Sequence, residues 1–294
     1  MTSTLNKKSV IALFILPAFS VFTVIVVVSI VWVFGVSFLD WNGMTDASFV
    51  GFRNYIQLFT EDPNYWEIVG NTIVYTIYEL FWQVFCGLLV AIFLTRIRKH
   101  RALLQTLYYI PVVISTVAIC QIFTKFFSVT PAGLINSLLG LFNEDWLYLE
   151  WISNPELSLE VAAFAEGYKY FGLYMITFYA ALISIPTELE EAALIDGAST
   201  FTQYVRIKIP YIKPVIIANL ILVFNGSMRS FDVSYLLTKG GPANTSQLLA
   251  PYMYKQAFNS LKYGYGSAVA ITIVILCVVL GVVMQKFLLR ESED

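Results

Sequence analysis

Six long apolar runs dominate the chain, at roughly 9–38, 71–95, 103–126, 161–185, 212–236 and 267–289, and polar segments separate them. A hydrocarbon core about 30 Å thick takes about 20 apolar residues per crossing helix, so each run is long enough to span a bilayer. Stretches such as "VFTVIVVVSIVWVF" are continuous rather than alternating. That argues against the only other spanning design, a closed barrel of short alternating strands. The pattern predicts an all-α integral membrane protein with six transmembrane helices. It reads as a single domain over 1–294, with no low-complexity linker and no obvious repeat.

Three segments between the runs are long enough to fold. Residues 40–70 mix aromatic and acidic side chains and predict a short external cap ahead of the second helix. Residues 127–160 are similar, and Trp146 and Trp151 suit a membrane interface. Residues 186–211 read "IPTELEEAALIDGASTFTQYVRIKIP" and split at Gly197. Thr187 fits an N-cap, with Glu190 completing a capping box. Gly197 fits the left-handed residue that ends a helix. Ser199 or Thr200 can cap a second helix, which stops at Pro210. The segment is therefore a helix–turn–helix. It is either a rigid protrusion that couples the bundle to a soluble partner or an amphipathic connector lying on the membrane. Within it, Ala192 and Ala193 are small enough for close approach, and Glu191 offers a charge to a basic partner. Pro17 and Pro111 fall inside spans and predict kinks or local unwinding, either as packed bends or beside a substrate path.

Composition agrees with a polytopic membrane protein: 58% of residues are hydrophobic and 13% charged. The net charge of −2 says little, but its distribution sets an orientation. Arg96, Arg98, Lys99 and Arg101 crowd one loop, whereas 127–160 carries Glu144, Asp145, Glu150, Glu156 and Glu160 with no Lys or Arg. The positive-inside bias puts the basic loop in the cytoplasm and the acidic segment outside. Lys7 and Lys8 put the N-terminus inside, and six spans return the C-terminus there. The segment 237–266, outside by this count, runs against the bias with Lys239, Lys255 and Lys262. Cys86, Cys120 and Cys277 lie in spans as small apolar packing residues, without disulfide or metal spacing. The first run is too long for a signal-peptide core and lacks a clear cleavage site, so it reads as a retained helix.

The polar hairpin carries a specific resemblance. Glu191-Ala192-Ala193, three residues, Gly197, nine residues and then Ile207-Lys208-Ile209-Pro210 resembles the EAA motif of permease subunits in binding-protein-dependent ABC importers. Ile209 replaces the usual Leu. The stretches "FVGFRNYIQLF", "FDVSYLLTKGGPANTSQLL" and "YMYKQAF" resemble the sugar-importing branch, of the maltose and glycerol-3-phosphate type. The likeness runs from about residue 10 to 290, and the end "QKFLLRESED" resembles the first of the two permease partners.

That resemblance implies a multi-pass protein of a bacterial or archaeal cytoplasmic membrane. It pairs with a second EAA-type permease above two ATPase subunits, and an extracytoplasmic solute-binding protein delivers a carbohydrate. Glu191, Ala192, Ala193, Gly197, Ile207 and Pro210 would form the ATPase-coupling element. The carbohydrate and membrane lipid are the remaining expected partners, and no nucleic acid is expected. The chain is expected to bind no cofactor of its own, with ATP and Mg held by the ATPases. It has no phosphate-cradling G-x-x-x-x-G-K-[ST] loop, and its single histidine, His100, sits in the basic loop. No catalytic residue or metal site is expected.

Charges within spans are costly and mark functional positions. Glu79, Glu166, Lys169, Arg229 and Asp232 qualify. Glu166 with Lys169, and Arg229 with Asp232, are each three apart, so each pair shares a helix face and can neutralise itself. Either these pairs hold helices in register, or together with Asn225 and the aromatics Tyr168, Phe171 and Phe231 they line a path for a hydroxyl-rich solute. Those aromatics also fit ordinary packing. The alternatives to a sugar are glycerol phosphate or a polyol. An ATPase-independent secondary transporter would show inverted repeats and a larger bundle.

Overall fold

The computed structural model describes residues 8–290. Lys7 and residues 291–294, which carry part of the reading of the termini, lie outside the described residues. Among the described residues, three helices are long and apolar enough to cross a membrane: Ala12–Val36, Tyr65–Arg96 and Tyr263–Lys286. Three further crossings are possible as helix pairs: Arg101–Val113 with Thr116–Phe126, bent by 100°, and Ser158–Ile183 with Thr187–Ile195 and Thr200–Tyr211 with Lys213–Ser227, each bent by 67°.

The chain packs as two compact units. The first holds the described residues up to Asp62 together with Met253–Thr272. Its apolar helix is α-helical to Phe22, π-helical over Thr23–Val28 and α-helical again to Val36. Pro17 does not break it. Hydroxyls of Ser20 and Thr23 bond back to the carbonyls of Pro17 and Phe19, at 3.2 and 2.8 Å, which is how polar side chains settle a disturbed ladder in a membrane helix. After it, Leu39–Asp40 pairs antiparallel with Ser48–Phe49, in the register Leu39↔Phe49 and Asp40↔Ser48. The tip is an Asx turn: Asn42 Oδ1 accepts from the amides of Met44 and Thr45, at 3.0 and 2.9 Å. Asn54 pins the start of the hairpin by donating to the carbonyls of Ser37 and Leu39, both at 2.9 Å. The sequence predicts a short cap over 40–70; the structure has this hairpin and a short helix over 53–61, and the second long helix already begins at Tyr65.

The second unit holds residues 63–252 and the end of the last helix. Its centre is the crossing of the second and fourth spans. Val84, Ala91 and Leu94 pack with Met175, Phe178, Tyr179 and Leu182 in one apolar cluster. The helix before the 100° bend meets the fourth span at Gly172, where an added Cβ would lie 2.0 Å from the Tyr108 carbonyl oxygen. A small residue there lets the backbones touch.

Three expectations fail locally. The run 103–126 is two helices, because the chain turns extended at Ile114 and Ser115 and the Ser115 hydroxyl caps the next helix by accepting from the Ala118 amide at 3.3 Å. Pro111 lies within the preceding helix, three residues short of the break. The run 212–236 stops as a helix at Ser227. The Ser227 hydroxyl and the Arg229 side chain bond back to carbonyls of the last turn, at Val223 and Asn225, and such capping ends a helix. The second helix of the hairpin also passes through Pro210 to Tyr211, and the bend follows at Ile212.

Candidate functional sites

The polar hairpin is a built unit. Its first helix runs Thr187–Ile195, with Glu188 and Glu190 in the first turn, where the helix dipole favours acids. Thr187 is not the cap: Pro186 takes that position, no side chain caps the helix, and the predicted capping box is absent. The turn is a full Schellman motif. Ala198 N–H donates to the Ala193 carbonyl at 2.9 Å and Gly197 N–H to Leu194 at 3.1 Å, with Gly197 at φ +74°. Ser199 then caps the second helix, accepting from the Thr202 amide at 3.2 Å.

Two contacts hold the hairpin's second helix. Lys208 pairs with Glu190 at 2.8 Å across the hairpin. Tyr204 is buried, its hydroxyl 2.7 Å from Thr95 Oγ1 and its ring facing Arg96 and Lys208 at 5.1 and 4.9 Å. Glu191, Ala192 and Pro210 are exposed and Ile207 is half-buried. Ala193 is buried in this chain, so it is not part of the exposed surface that Glu191 and Ala192 present. Sequence reasoning missed the apolar tip: Leu194, Ile195 and Phe201 are 63, 87 and 77% exposed. Their signal was present as large apolar residues flanking a Gly turn in a polar segment.

The second cluster lies among the broken spans. Glu166 Oε2 accepts from Tyr75 Oη at 2.6 Å and from Ser230 Oγ at 2.5 Å. Glu79 is fully buried; Gln83 donates to its Oε2, and its Oε1 has no partner. Lys169, also buried, reaches Thr116 Oγ1 at 2.5 Å and the Tyr170 ring at 5.1 Å. Polar residues of spans two and four are thus tied to the breaks in spans three and five. Glu166 and Lys169 turn to different partners instead of to each other. Tyr75, Gln83 and Thr116 were missed, although Thr72, Tyr75, Thr76, Glu79 and Gln83 form a buried stripe at helical spacing.

Arg229 and Asp232 are not one helix face, because residues 228–231 leave the helix between them. They form no ion pair. Arg229 Nε donates to the Asn225 carbonyl at 3.0 Å, and both charged residues are exposed. Asn225 is half-buried and donates to the Ile221 carbonyl at 2.9 Å. The aromatics pack on one another: Tyr168 on Phe123 at 5.5 Å, Phe171 on Tyr108 at 5.6 Å and Phe231 on Tyr235 at 5.0 Å. Among the described residues no group of three metal-ligating side chains occurs.

A helical bundle with broken spans, a buried polar frame and a stiff exposed hairpin defines a membrane transport subunit. Residues 83–291 match the family model described as binding-protein-dependent transport system inner membrane component, and the chain belongs to that family. Its relatives are ABC permeases. It is 30% identical to the probable ABC transporter permease YurN of Bacillus subtilis, over 98% of this chain and 99% of that one. It is 31% identical to the arabinooligosaccharides transport system permease AraP of the same organism, covering 96% and 89%. It is 30% identical to the trehalose/maltose transport system permease MalF of Thermococcus litoralis, covering 93% and 92%. Among solved structures, a chain of a bacterial ABC transporter involved in the import of the acidic polysaccharide alginate superimposes with a TM-score of 0.83 at 20% identity. The match covers 98% of this chain and 97% of that one, and it shows the fold. The chain is a permease subunit of an ABC importer, a predominantly helical protein of the inner membrane.

Proposed function

We propose that the cargo is a carbohydrate, handed over by an extracytoplasmic binding protein and moved by ATP hydrolysis on separate subunits. The observation that carries this reading is the near full-length likeness to permeases named for arabinooligosaccharides and for trehalose/maltose. In this reading a second EAA-type permease completes the pore, and both termini and the hairpin face the cytoplasm. The hairpin docks on one of two ATPases through Glu191, Ala192 and the apolar tip, while Ala193, Gly197, Ile207 and Pro210 keep its shape. A Schellman turn, a capped second helix and the Glu190–Lys208 pair favour this role, because an element that transmits force has to resist bending.

The route for solute then runs along exposed or half-exposed groups: Tyr168, Phe171, Asn225, Arg229, Phe231 and Asp232. The buried Glu79 and Lys169, with the half-buried Glu166, hold the frame around it. In alternating access, rigid bodies rock about such a central site. One observation favours a second reading of the cargo. Arg229 is exposed, with no carboxylate in ion-pair range among the described residues, which suits an anionic solute such as a glycerol phosphate. Identifying the solute that the cognate binding protein retains tests both. A neutral oligosaccharide supports the first, a phosphorylated or acidic one the second, and an amino acid or peptide refutes both.

A further inference from the structure

The core of the second unit is divided along its length. On the hairpin side, one apolar cluster joins Met175 and Phe178 of the fourth span to Tyr108, before the break in span three, and to Val223, before the break in span five. On the far side, a separate cluster joins Val161 and Ala165 of the fourth span to Ile119 and Phe123, beyond the first break, and to Val233 and Leu237, beyond the second. Each broken span therefore has one half in each cluster, and the fourth span runs unbroken through both. A close-packed apolar core does not deform smoothly, so internal motion is confined to places where the packing is interrupted.

The charges of the fourth span sit at that interruption. Glu166 and Lys169 follow Ala165 and precede Met175 on the same helix. Each reaches one of the two breaks. Lys169 donates to Oγ1 of Thr116, the first helical residue beyond the break in span three, at 2.5 Å. Ser230, within the break in span five, donates to Glu166 Oε2 at 2.5 Å. Lys169 is 5% exposed and has no carboxylate in ion-pair range among the described residues. A buried ammonium held by a hydroxyl and a ring is a costly way to join helices that apolar packing already joins, and charges inside spans mark function.

We propose that Lys169 and Glu166 are positioning residues for transport. Each fastens one hinge to the fourth span, Lys169 through Thr116 and Glu166 through Ser230, and together they set the angle between the two halves of the core. The far halves of spans three and five swing as one piece, because they share a cluster. Releasing either tie therefore moves both. The proposal rests on the permease reading and is independent of which solute is carried.

The experiment uses the assembled transporter, with its second permease and ATPases, in nanodiscs and places a pair of spin labels across each break. One pair replaces Leu103 and Phe126, the other Leu222 and Leu236, all exposed, and double electron–electron resonance reads both distances. Without nucleotide, Thr116→Val keeps the side chain's shape but removes the hydroxyl. It should change the ratio of the wild-type distance to its alternatives about tenfold, the scale of one charge-assisted bond, and should do so across both breaks. Thr116→Ser should restore the wild-type distances, which a role in shape alone would not do. Ser230→Ala, which leaves Glu166 its bond from Tyr75, should also shift both pairs. In the wild type, trapping with ATP and vanadate should change the two distances together. A Thr116→Val variant with wild-type distances would overturn the proposal, as would a shift confined to the span that carries the substitution. Distances that stay fixed on trapping, in a sample that hydrolyses ATP, would make the breaks static bends and overturn it too. A sample that does not hydrolyse ATP counts against the ATP-driven reading instead, and the comparison without nucleotide still decides the ties.

Discussion

Replacing the apolar tip of the hairpin should uncouple the permease from its ATPase without harming the permease. Ile195 and Phe201 are 87 and 77% exposed, so their side chains contribute little to the isolated fold, and surface changes of this kind stay within about 0.5 kcal/mol. Burying either one fully against a partner is worth about 1.5–3 kcal/mol. A docking cleft covers only part of each side chain, so the lower end applies. A loss of about 1.4 kcal/mol is tenfold in affinity. Ile195→Ala and Phe201→Ala should each weaken ATPase binding about tenfold, and the double variant about a hundredfold if the two act independently. The assay titrates labelled ATPase onto the permease pair in nanodiscs and measures, alongside, ATPase stimulation by loaded binding protein. A double variant that binds within twofold of wild type, with stimulation intact, would refute the docking argument. Ala193→Trp is a poor substitute for these variants. Ala193 is buried in the hairpin, so a large side chain overpacks it at about 1–3 kcal/mol and damages the permease itself.

Three further outcomes follow from the geometry. Gly197→Ala meets no atom within 4 Å but sits at φ +74°, so it should cost about 1 kcal/mol of hairpin stability through the backbone alone; hydrogen exchange of the hairpin amides reads this, and unchanged protection contradicts it. Tyr75→Phe removes one of the two hydroxyl donors on Glu166 Oε2 and should lower the unfolding free energy by about 1–3 kcal/mol; a thermal melt equal to wild type contradicts it. Arg229→Ala, at an exposed position with no ion-pair partner among the described residues, should leave assembly and melting unchanged while altering uptake of solute. Full uptake in that variant removes Arg229 from the route.

What could be read from the sequence divides along physical lines. The spans were legible because continuous apolar runs of bilayer length admit few other structures. The hairpin was legible because Gly197 and Ser199 are local signals whose geometry does not depend on the rest of the chain. The breaks at Ile114–Ser115 and Ser227–Phe231 were not, because they sit inside apolar runs and follow from hydroxyl and side-chain capping rather than from proline. The pairing of Arg229 with Asp232 failed for that reason: spacing of three places two residues on one face only where the helix continues. The partners of Glu166 come from distant spans, and periodicity alone could not have chosen Tyr75 and Ser230 among the polar residues available.

The most direct test reconstitutes this permease with its second permease and ATPases in proteoliposomes, with ATP inside and binding protein outside. It follows entry of the radiolabelled carbohydrate that the binding protein retains. Uptake that needs both ATP and the binding protein, and that the Ile195→Ala, Phe201→Ala double variant loses while remaining in the membrane, is the predicted result. Uptake that proceeds without ATP or without the binding protein would contradict the account.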